Sequence, residues 1–354
     1  MTESYLDNVW YCAAVADEIR DVPLARMICD RPIVFFRTAR GAVAALDDRC
    51  SHRQAPLSLA RVVDGRLECS YHGFTFDGTG RCVHIPHQDA VPRAADIRSY
   101  PAVEHNGLVW LWFGAPEAAA GVPVPAMPWI DDPAQRCVFM RFAVDANFQL
   151  MADNLMDVSH TDFLHRTSIG SQTGRANDDD TKVELECDVD GDRVRFMRRV
   201  KNTLLGPIAT KWAGSSKRTT RTNYLVWEAP NTIHSVLEFK NEESHHTIHL
   251  DHIMTPETPS TMHYFMPWTR DFGLDNVSYP TDNDVRQEQT LVVCGDDIPM
   301  VEAQQRNIAR FGVLTDVPSR QDRFVVTVHR RLAALYAENG RPVPPELQRL
   351  GKGA

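Results

Sequence analysis

The 354-residue chain has no long apolar run. The stretch Leu108 to Ala115 falls far short of the roughly 20 residues a helix needs to cross a bilayer. Met1 to Trp10 is polar and acidic, without a basic stretch followed by an apolar one, so no secretory leader is expected and a cytoplasmic protein is. Cysteine is sparse: eight in a chain of this length cannot build a disulfide scaffold, which points to a reducing compartment. Positive charge is short as well. Lys and Arg number 38 against 47 Asp and Glu, a formal net charge of −9, which suits neither nucleic acid nor an anionic membrane surface. No G-x-G-x-x-G fingerprint follows an expected strand, and no Cys cluster of plant-type ferredoxin spacing occurs. Internal repeats and low-complexity tracts are absent. What is present is an ordinary globular composition, 43% hydrophobic and 24% charged, which argues against disorder. At roughly 100–200 residues per domain, the length gives about two domains.

The first part reads as all-β. Met27–Arg37 and Ala42–Leu46 flank Thr38-Ala39-Arg40-Gly41, a hairpin signature, and Asp64-Gly65, Asp77-Gly78 and Gly80 mark further turns. A Pro/Ala/Gly-rich stretch from Gly114 to Pro128 reads as a linker and divides the chain into residues 1–115 and 116–354. Beyond it the pattern mixes elements. Phe148 to His165 lacks Gly and Pro and reads as helix. Val183–Val200 reads as a hairpin around Asp188 to Asp192, and Thr220–Trp227, Ile233–Phe239, Thr247–Met254 and Met262–Trp268 read as strands. Asp284–Arg310 reads as helix broken near Gly295 and Pro299, and Ser319–Glu338 as a helix stopped by Gly340. Antiparallel strands with surrounding helices make an α+β class.

Two clusters carry chemistry. Cys50-Ser51-His52 and Cys69-Ser70-Tyr71-His72 each pair one thiolate with one imidazole at a turn. Two thiolates on one iron and two imidazoles on the other make a Rieske [2Fe–2S] centre, whose potential lies above that of an all-Cys cluster. A Cys2His2 zinc site uses the same donors, although zinc sites more often pair like with like. The remaining cysteines (12, 29, 82, 137, 187 and 294) have no matching partners and read mostly as small buried hydrophobes. The second cluster runs from Asn154 to His165. At about 100° per residue Asn154, Asp157 and His160 share a helix face, whereas His165 lies about 140° from His160. Both imidazoles reach one metal only if the helix ends or bulges between them, so an irregularity is expected near Thr161–Leu164. Two His and one carboxylate form the facial triad of non-haem Fe(II) oxygenases.

With these motifs in view, the chain resembles the Rieske non-haem iron oxygenases, in particular the vanillate O-demethylase and dicamba monooxygenase branch. The resemblance rests on Cys50-Ser51-His52-Arg53, Pro56-Leu57-Ser58, Cys69 to Phe74, and Asn154-x-x-Asp157-x-x-His160-x-x-x-x-His165. It implies an N-terminal all-β Rieske domain and a C-terminal antiparallel-sheet, helix-grip catalytic domain. It implies a [2Fe–2S] cluster on Cys50, His52, Cys69 and His72, and Fe(II) on His160, His165 and a later carboxylate. The register over Cys294 to Glu302 matches that ligand to Asp297, with the adjacent Asp296 as the alternative. It implies that Asp157 bridges a ligand His of the mononuclear iron and His72, across subunits of a head-to-tail homotrimer. Asn154 accompanies it on the same helix face.

For the substrate, the strand Thr247 to Met254 with the turn Thr255 to Thr258 resembles its counterpart in the dicamba branch, where the position of His252 contacts a carboxylate. Alternation sets His252 with Leu250 and Ile248, and His249 with Asp251 on the other face. A surface histidine in a His-rich strand (245, 246, 249 and 252) is the plainer alternative. Arg166, directly after His165, is a second candidate for an anionic substrate. The function implied is O2-dependent oxidation of a small aromatic acid, foremost O-demethylation with release of formaldehyde, with electrons from NAD(P)H through a separate flavin/ferredoxin-type reductase. Hydroxylation or dioxygenation of an aromatic acid or sulfonate is the alternative in the same fold. A Rieske electron carrier would need only the first part of the chain.

Overall fold

The computed structural model describes residues 5–171, 182–191 and 193–349; the start Met1–Ser4, Asp192 in the expected hairpin turn, and residues 172–181 and 350–354 lie outside the described residues. The chain divides into two compact units, Met1–Met127 with Thr255–Pro259, and Pro128–Met254 with Ser260–Ala354.

The first unit holds β1 (Val9–Val15), β2 (Leu24–Ile28), β3 (Arg31–Arg37), β4 (Val43–Asp47), β5 (Arg61–Val63), β6 (Arg66–Glu68), β7 (Thr75–Phe76), β8 (Cys82–His84), β9 (Ser99–Tyr100), β10 (Ala102–His105) and β11 (Leu108–Phe113). They pair as three antiparallel sheets, β1-β11-β10, β2-β3-β4-β9 and β5-β6-β7-β8. The expected single strand Met27–Arg37 is in fact two. Ile28 pairs with Arg31 across Cys29 and Asp30, whose φ values of 51° and 59° make a two-residue turn of the type that hairpins favour. A Cys-Asp pair does not advertise that turn as Asn-Gly would. The hairpin over Thr38–Gly41 forms as expected, closed by Thr38 N–H to Ala42 O at 2.9 Å.

Period-2 alternation makes β3 a partition between two cores. Ile33 and Phe35 pack with Tyr11, Val109 and Leu111. Val34 and Phe36 pack with Leu46, Leu57, Leu67 and Phe76, and this second core also contains Cys50 and Cys69. Each fully buried large apolar side chain contributes about 1.5–3 kcal/mol, so the cysteine loops are anchored in dense packing. The Pro-rich stretch is tied to the same unit: it forms a 3-10 turn over Pro116–Gly121, and Trp10 Nε1–H donates to Val122 O at 2.9 Å.

The second unit contains β12 (Arg136–Val144), α1 (Phe148–Met156), β13 (Lys182–Asp190), β14 (Arg193–Thr203), α2 (Pro207–Trp212), β15 (Thr219–Glu228), β16 (Thr232–Lys240), β17 (His245–Thr258) up to Met254, β18 (Thr261–Arg270), α3 (Asp282–Val292), α4 (Ile298–Phe311) and α5 (Arg323–Glu338). One seven-stranded sheet runs β12-β18-β17-β16-β15-β14-β13. It is antiparallel, with helices around it, as the α+β expectation required. β12 lies outside every element expected above, although Val138, Met140 and Val144 are buried in strand alternation.

Two helices depart from regularity, and both departures build the site. The helix expected to reach His165 stops at Met156. Asp157 leaves helical geometry (φ −89°, ψ 79°), and its carboxylate accepts the N–H and O–H of Ser159 at 3.0 and 2.6 Å. That local bond competes with the helix ladder and starts a 3-10 turn, Val158–Asp162. The α-helix therefore ends before His160, and the 3-10 turn that follows ends at Asp162, between the two histidines and within the expected Thr161–Leu164. Between α3 and α4 the chain makes one π-helical stretch, Val293–Asp297, closed by Ile298 N–H to Val293 O. Pro299, in the first turn of α4, has no N–H for an ordinary helical bond there.

Candidate metal centres and cavity

The two cysteine loops are near copies in backbone terms. In the first, Cys50 N–H donates to Ala55 O at 2.8 Å and Gln54 N–H to Cys50 O at 3.1 Å. In the second, Cys69 N–H donates to Phe74 O at 2.8 Å and Gly73 N–H to Cys69 O at 2.9 Å. The serine after each cysteine donates to a backbone carbonyl, Ser51 to Ala95 O at 2.6 Å and Ser70 to Leu59 O at 2.7 Å. The fifth position takes positive φ in both, Gln54 at 62° and Gly73 at 74°. Gly73 is also sterically required, because a Cβ there would lie 2.8 Å from Pro86 Cγ.

The loops bring their four donors together. Cys50 and Cys69 are buried with their thiols in hydrogen-bond reach. The His52 and His72 rings are exposed, with centroids 4.5 Å apart. Burial pushes the Cys50 thiol up to about 11, so its thiolate requires a cation. Two inner thiols and two outer imidazoles fit a [2Fe–2S] group of mixed ligation. Of the other cysteines, all free, Cys12, Cys29 and Cys82 are buried as expected; Cys137 and Cys187 are half-buried, and Cys294 is exposed, at odds with the buried-hydrophobe reading.

In the second unit the 3-10 turn and the π stretch bring His160, His165 and Asp297 together, with one ligand atom from each all within 4.8 Å of one another. His165 Nε2 lies 3.0 Å and His160 Nε2 3.5 Å from the same Asp297 oxygen. Asp296 occupies the other side of the His165 ring, with its Oδ2 3.0 Å from Nδ1. The geometry therefore separates the two adjacent acids: Asp297 faces both Nε2 atoms and Asp296 braces one ring. Asp297 is 5% exposed. Burial raises its carboxyl, but the two imidazoles outweigh that and hold it at about 2. Burial pulls His165 down, and its bonds to Asp297 and Asp296 hold it above the ordinary histidine value. An ionised carboxylate and two Nε2 donors around one point fit a divalent transition metal with open positions.

Asp157 differs from expectation in how it meets His160. Its backbone carbonyl, not its carboxylate, lies 2.6 Å from His160 Nδ1, while the carboxylate serves Ser159. Asn154 and Asp157 line an open pocket on the outer side of His160, and Asn154 Oδ1 has no hydrogen-bond partner among the described residues.

A cavity of about 70 Å³ lies against the metal trio, lined by apolar Leu155, Val158, Leu250 and Val292 and by polar Arg221, Asn223, His252 and Gln289. It is smaller than the roughly 300–1,000 Å³ of typical ligand pockets, so a ring enters only if side chains turn aside. His252 lines this cavity, its Nδ1 2.6 Å from Tyr264 Oη. Burial pushes it down to about 3, so it is neutral at pH 7. Arg166 is exposed and does not line the cavity. Arg221 was not expected here. Its signal was available, since alternation sets it on one face of β15 with buried Leu225 and Trp227.

Comparison with known proteins follows the same division. Residues 9–101 match the Rieske [2Fe-2S] domain family, and residues 144–338 match the vanillate O-demethylase oxygenase C-terminal domain family. The oxygenase component of dicamba O-demethylase from Stenotrophomonas maltophilia is 35% identical over 315 residues, covering 86% of this chain and 90% of the relative. A vanillate O-demethylase oxygenase subunit from a Pseudomonas species is 31% identical, covering 86% and 87%. A putative toluene-4-sulfonate monooxygenase iron–sulfur subunit from Comamonas testosteroni is 31% identical, covering 88% and 90%. The crystal structure of dicamba monooxygenase bound to 3,6-dichlorosalicylic acid superposes with a TM-score of 0.88 at 31% identity, over 96% of this chain and 100% of that one.

Proposed function

Because the chain belongs to the Rieske oxygenase family, as an oxygenase component of the vanillate O-demethylase type, we propose that it O-demethylates a methoxylated aromatic acid. The observation that carries this reading is the convergence of His160, His165 and Asp297 beside a cavity with apolar walls. Cys50, His52, Cys69 and His72 would hold the [2Fe–2S] cluster, and His160, His165 and Asp297 the Fe(II). When bound, these groups supply electron storage and the reductive activation of O2. The electrons come from NAD(P)H through a separate flavin/ferredoxin-type reductase.

The protein's own part is positional. Asp296 and the Asp157 carbonyl each accept the Nδ1–H of a histidine, which fixes both rings in the tautomer that presents Nε2 to the centre. Leu155, Val158, Leu250 and Val292 exclude water and bear on the ring of the substrate. Neutral His252 offers a hydrogen bond without a charge. Asp157 and Asn154, on the open side of His160, are assigned to the electron path between subunits of a homotrimer. In the overall reaction the methoxy carbon, O2, two electrons and two protons yield a hemiacetal and water, and the hemiacetal collapses to a phenol and formaldehyde. A reducing cytoplasm suits eight cysteines of which none is in a disulfide. Among the described residues, no helix is long and apolar enough to cross a membrane.

The test is a screen of methoxybenzoates with a matched reductase, following NADH, O2 and formaldehyde. Formaldehyde equal to the O2 consumed supports the reading; a cis-diol, or a ring hydroxylation without formaldehyde, overturns it. The toluene-4-sulfonate relatives favour a second reading, hydroxylation of an aromatic acid or sulfonate, which the same product analysis distinguishes.

A further inference from the structure

Among the described residues that line the cavity beside the metal trio is one formal cation that the proposed reaction leaves without a role. Arg221 on β15 is 2% exposed and lines that cavity. Its Nη1–H donates to the Ile169 carbonyl at 2.6 Å, and its guanidinium lies 6.0 Å from the Phe239 ring centroid. Its Nε–H has no hydrogen-bond partner among the described residues. The nearby carboxylate, Asp162, is engaged by a different guanidinium, that of buried Arg198, at 2.5 Å. Arg221 is thus a buried guanidinium without a carboxylate of its own, and a buried cation that lacks a paired, hydrogen-bonding anion is costly, so an added anion would relieve it.

One neighbour of Arg221 extends the same deficit: Gln289 of α3 is 2% exposed with its Nε2 donor unmatched, whereas Asn223, two residues along the same face of β15 and 6% exposed, leaves an acceptor, Oδ1, unmatched. Both line the cavity. Burial lowers Arg221 to about 10, which leaves it charged at neutral pH, whereas His252 is neutral there.

We propose that Arg221, with Gln289 beside it, is the charge-selecting element of the cavity and holds the ring-borne oxyanion of the substrate, a carboxylate or a sulfonate. This inference rests on the reading that the cavity is the substrate site. The planar guanidinium offers the fork that an oxyanion accepts, which neither His252 nor a lysine can supply.

The experiment measures binding without turnover. The cluster-loaded oxygenase is titrated with benzoate, benzenesulfonate and benzamide, read by the fluorescence of Trp212, which lines the cavity. The wild type is expected to bind at least one anion 30-fold or more tighter than benzamide, and the tighter anion identifies the acid group. Arg221→Gln is expected to cut that preference below threefold, Arg221→Lys to keep part of it, and His252→Gln to keep most of it. The cluster spectrum and the melting temperature verify folding. A wild type without the preference overturns the proposal, as does an Arg221→Gln protein that keeps it or a His252→Gln protein that alone loses it. If Arg221→Gln does not fold, Arg221→Lys and the wild-type preference decide. A protein that binds benzoate through Arg221 yet releases no formaldehyde refutes the demethylation reading and leaves this one standing.

Discussion

The cysteine loops and the His160/His165/Asp297 trio both gather metal-binding side chains, but they draw on the chain in different ways. Each loop closes on itself with two backbone hydrogen bonds, its serine bonds a carbonyl outside the loop, and its cysteine is anchored in a core. The trio joins a 3-10 turn to a π stretch, so that His165 meets Asp297 from 132 positions away. The loops are local devices that packing then stiffens. The trio exists only once the second unit has assembled, and each of its halves is an interruption in a helix.

The strongest way to break this contrast is to remove one centre and ask whether the other survives. His160→Ala is expected to cut product formation by roughly 1,000-fold, about 4 kcal/mol of barrier, while the visible and electron paramagnetic resonance spectra of the cluster persist. Cys69→Ala is expected to do the reverse, bleaching the cluster and leaving iron at the trio by metal analysis. A His160→Ala protein that also loses its colour would end the claim of independence.

A finer cut separates the two neighbouring acids. Asp297→Asn is expected to abolish retention of Fe(II) on gel filtration, whereas Asp296→Asn weakens it by roughly 10–100-fold through the loosened His165 ring. The opposite ranking would reassign the ligand.

The units should also differ in their response to pH. In the second unit buried His234 bonds Asp251 at 2.8 Å, with Glu228 at 3.4 Å. Burial pulls His234 down, but the two carboxylates prevail and hold it at about 9. Because the folded value is raised, the stabilisation is complete below about pH 6.5 and is lost as pH climbs through about 9, on the order of 3 kcal/mol. Melting followed by tryptophan fluorescence should fall across that window, and His234→Gln should flatten it. A flat wild-type profile would contradict the assignment.

The smallest effect compares the two loops with each other. Gly73→Ala meets Pro86 and a positive φ, and should cost about 1–2 kcal/mol in cluster-monitored unfolding. Gln54→Gly, at the equivalent position, should be neutral or stabilising by up to about 1 kcal/mol. Equal losses at both positions would deny their equivalence.

This contrast also explains what could be read before the structure. Cys50, His52, Cys69 and His72 were legible from spacing, because local loops write their chemistry into contiguous residues. His160 and His165 were legible as a pair, along with the need for a break between them and their shared centre. The earlier end of α1 at Met156 was not, since the bond from Ser159 to the Asp157 carboxylate that follows it looks in sequence like any polar pair. Asp297 came from resemblance alone, because nothing local links residue 297 to residue 165. Arg221 was missed for a related reason. A lone arginine in a strand reads as solvent-facing until the helices that cover that face are known. The two-residue turn at Cys29-Asp30 hid behind an uncommon residue pair, and β12 behind the prolines before it.

The π stretch has a consequence for how such a centre is lost or gained. Over Val293–Asp297 the chain carries one residue more than an α-helical path would use. Deleting Gly295, whose Cβ position meets nothing within 4 Å, would restore ordinary helical winding and turn the two sides of the segment by about 100° relative to each other. α3 and α4 could not both keep their seats, and Asp297 would swing away from the imidazoles while every ligand residue remained in the sequence. In this chain the metal address is encoded partly as helical phase, a quantity that a catalogue of ligand residues does not record.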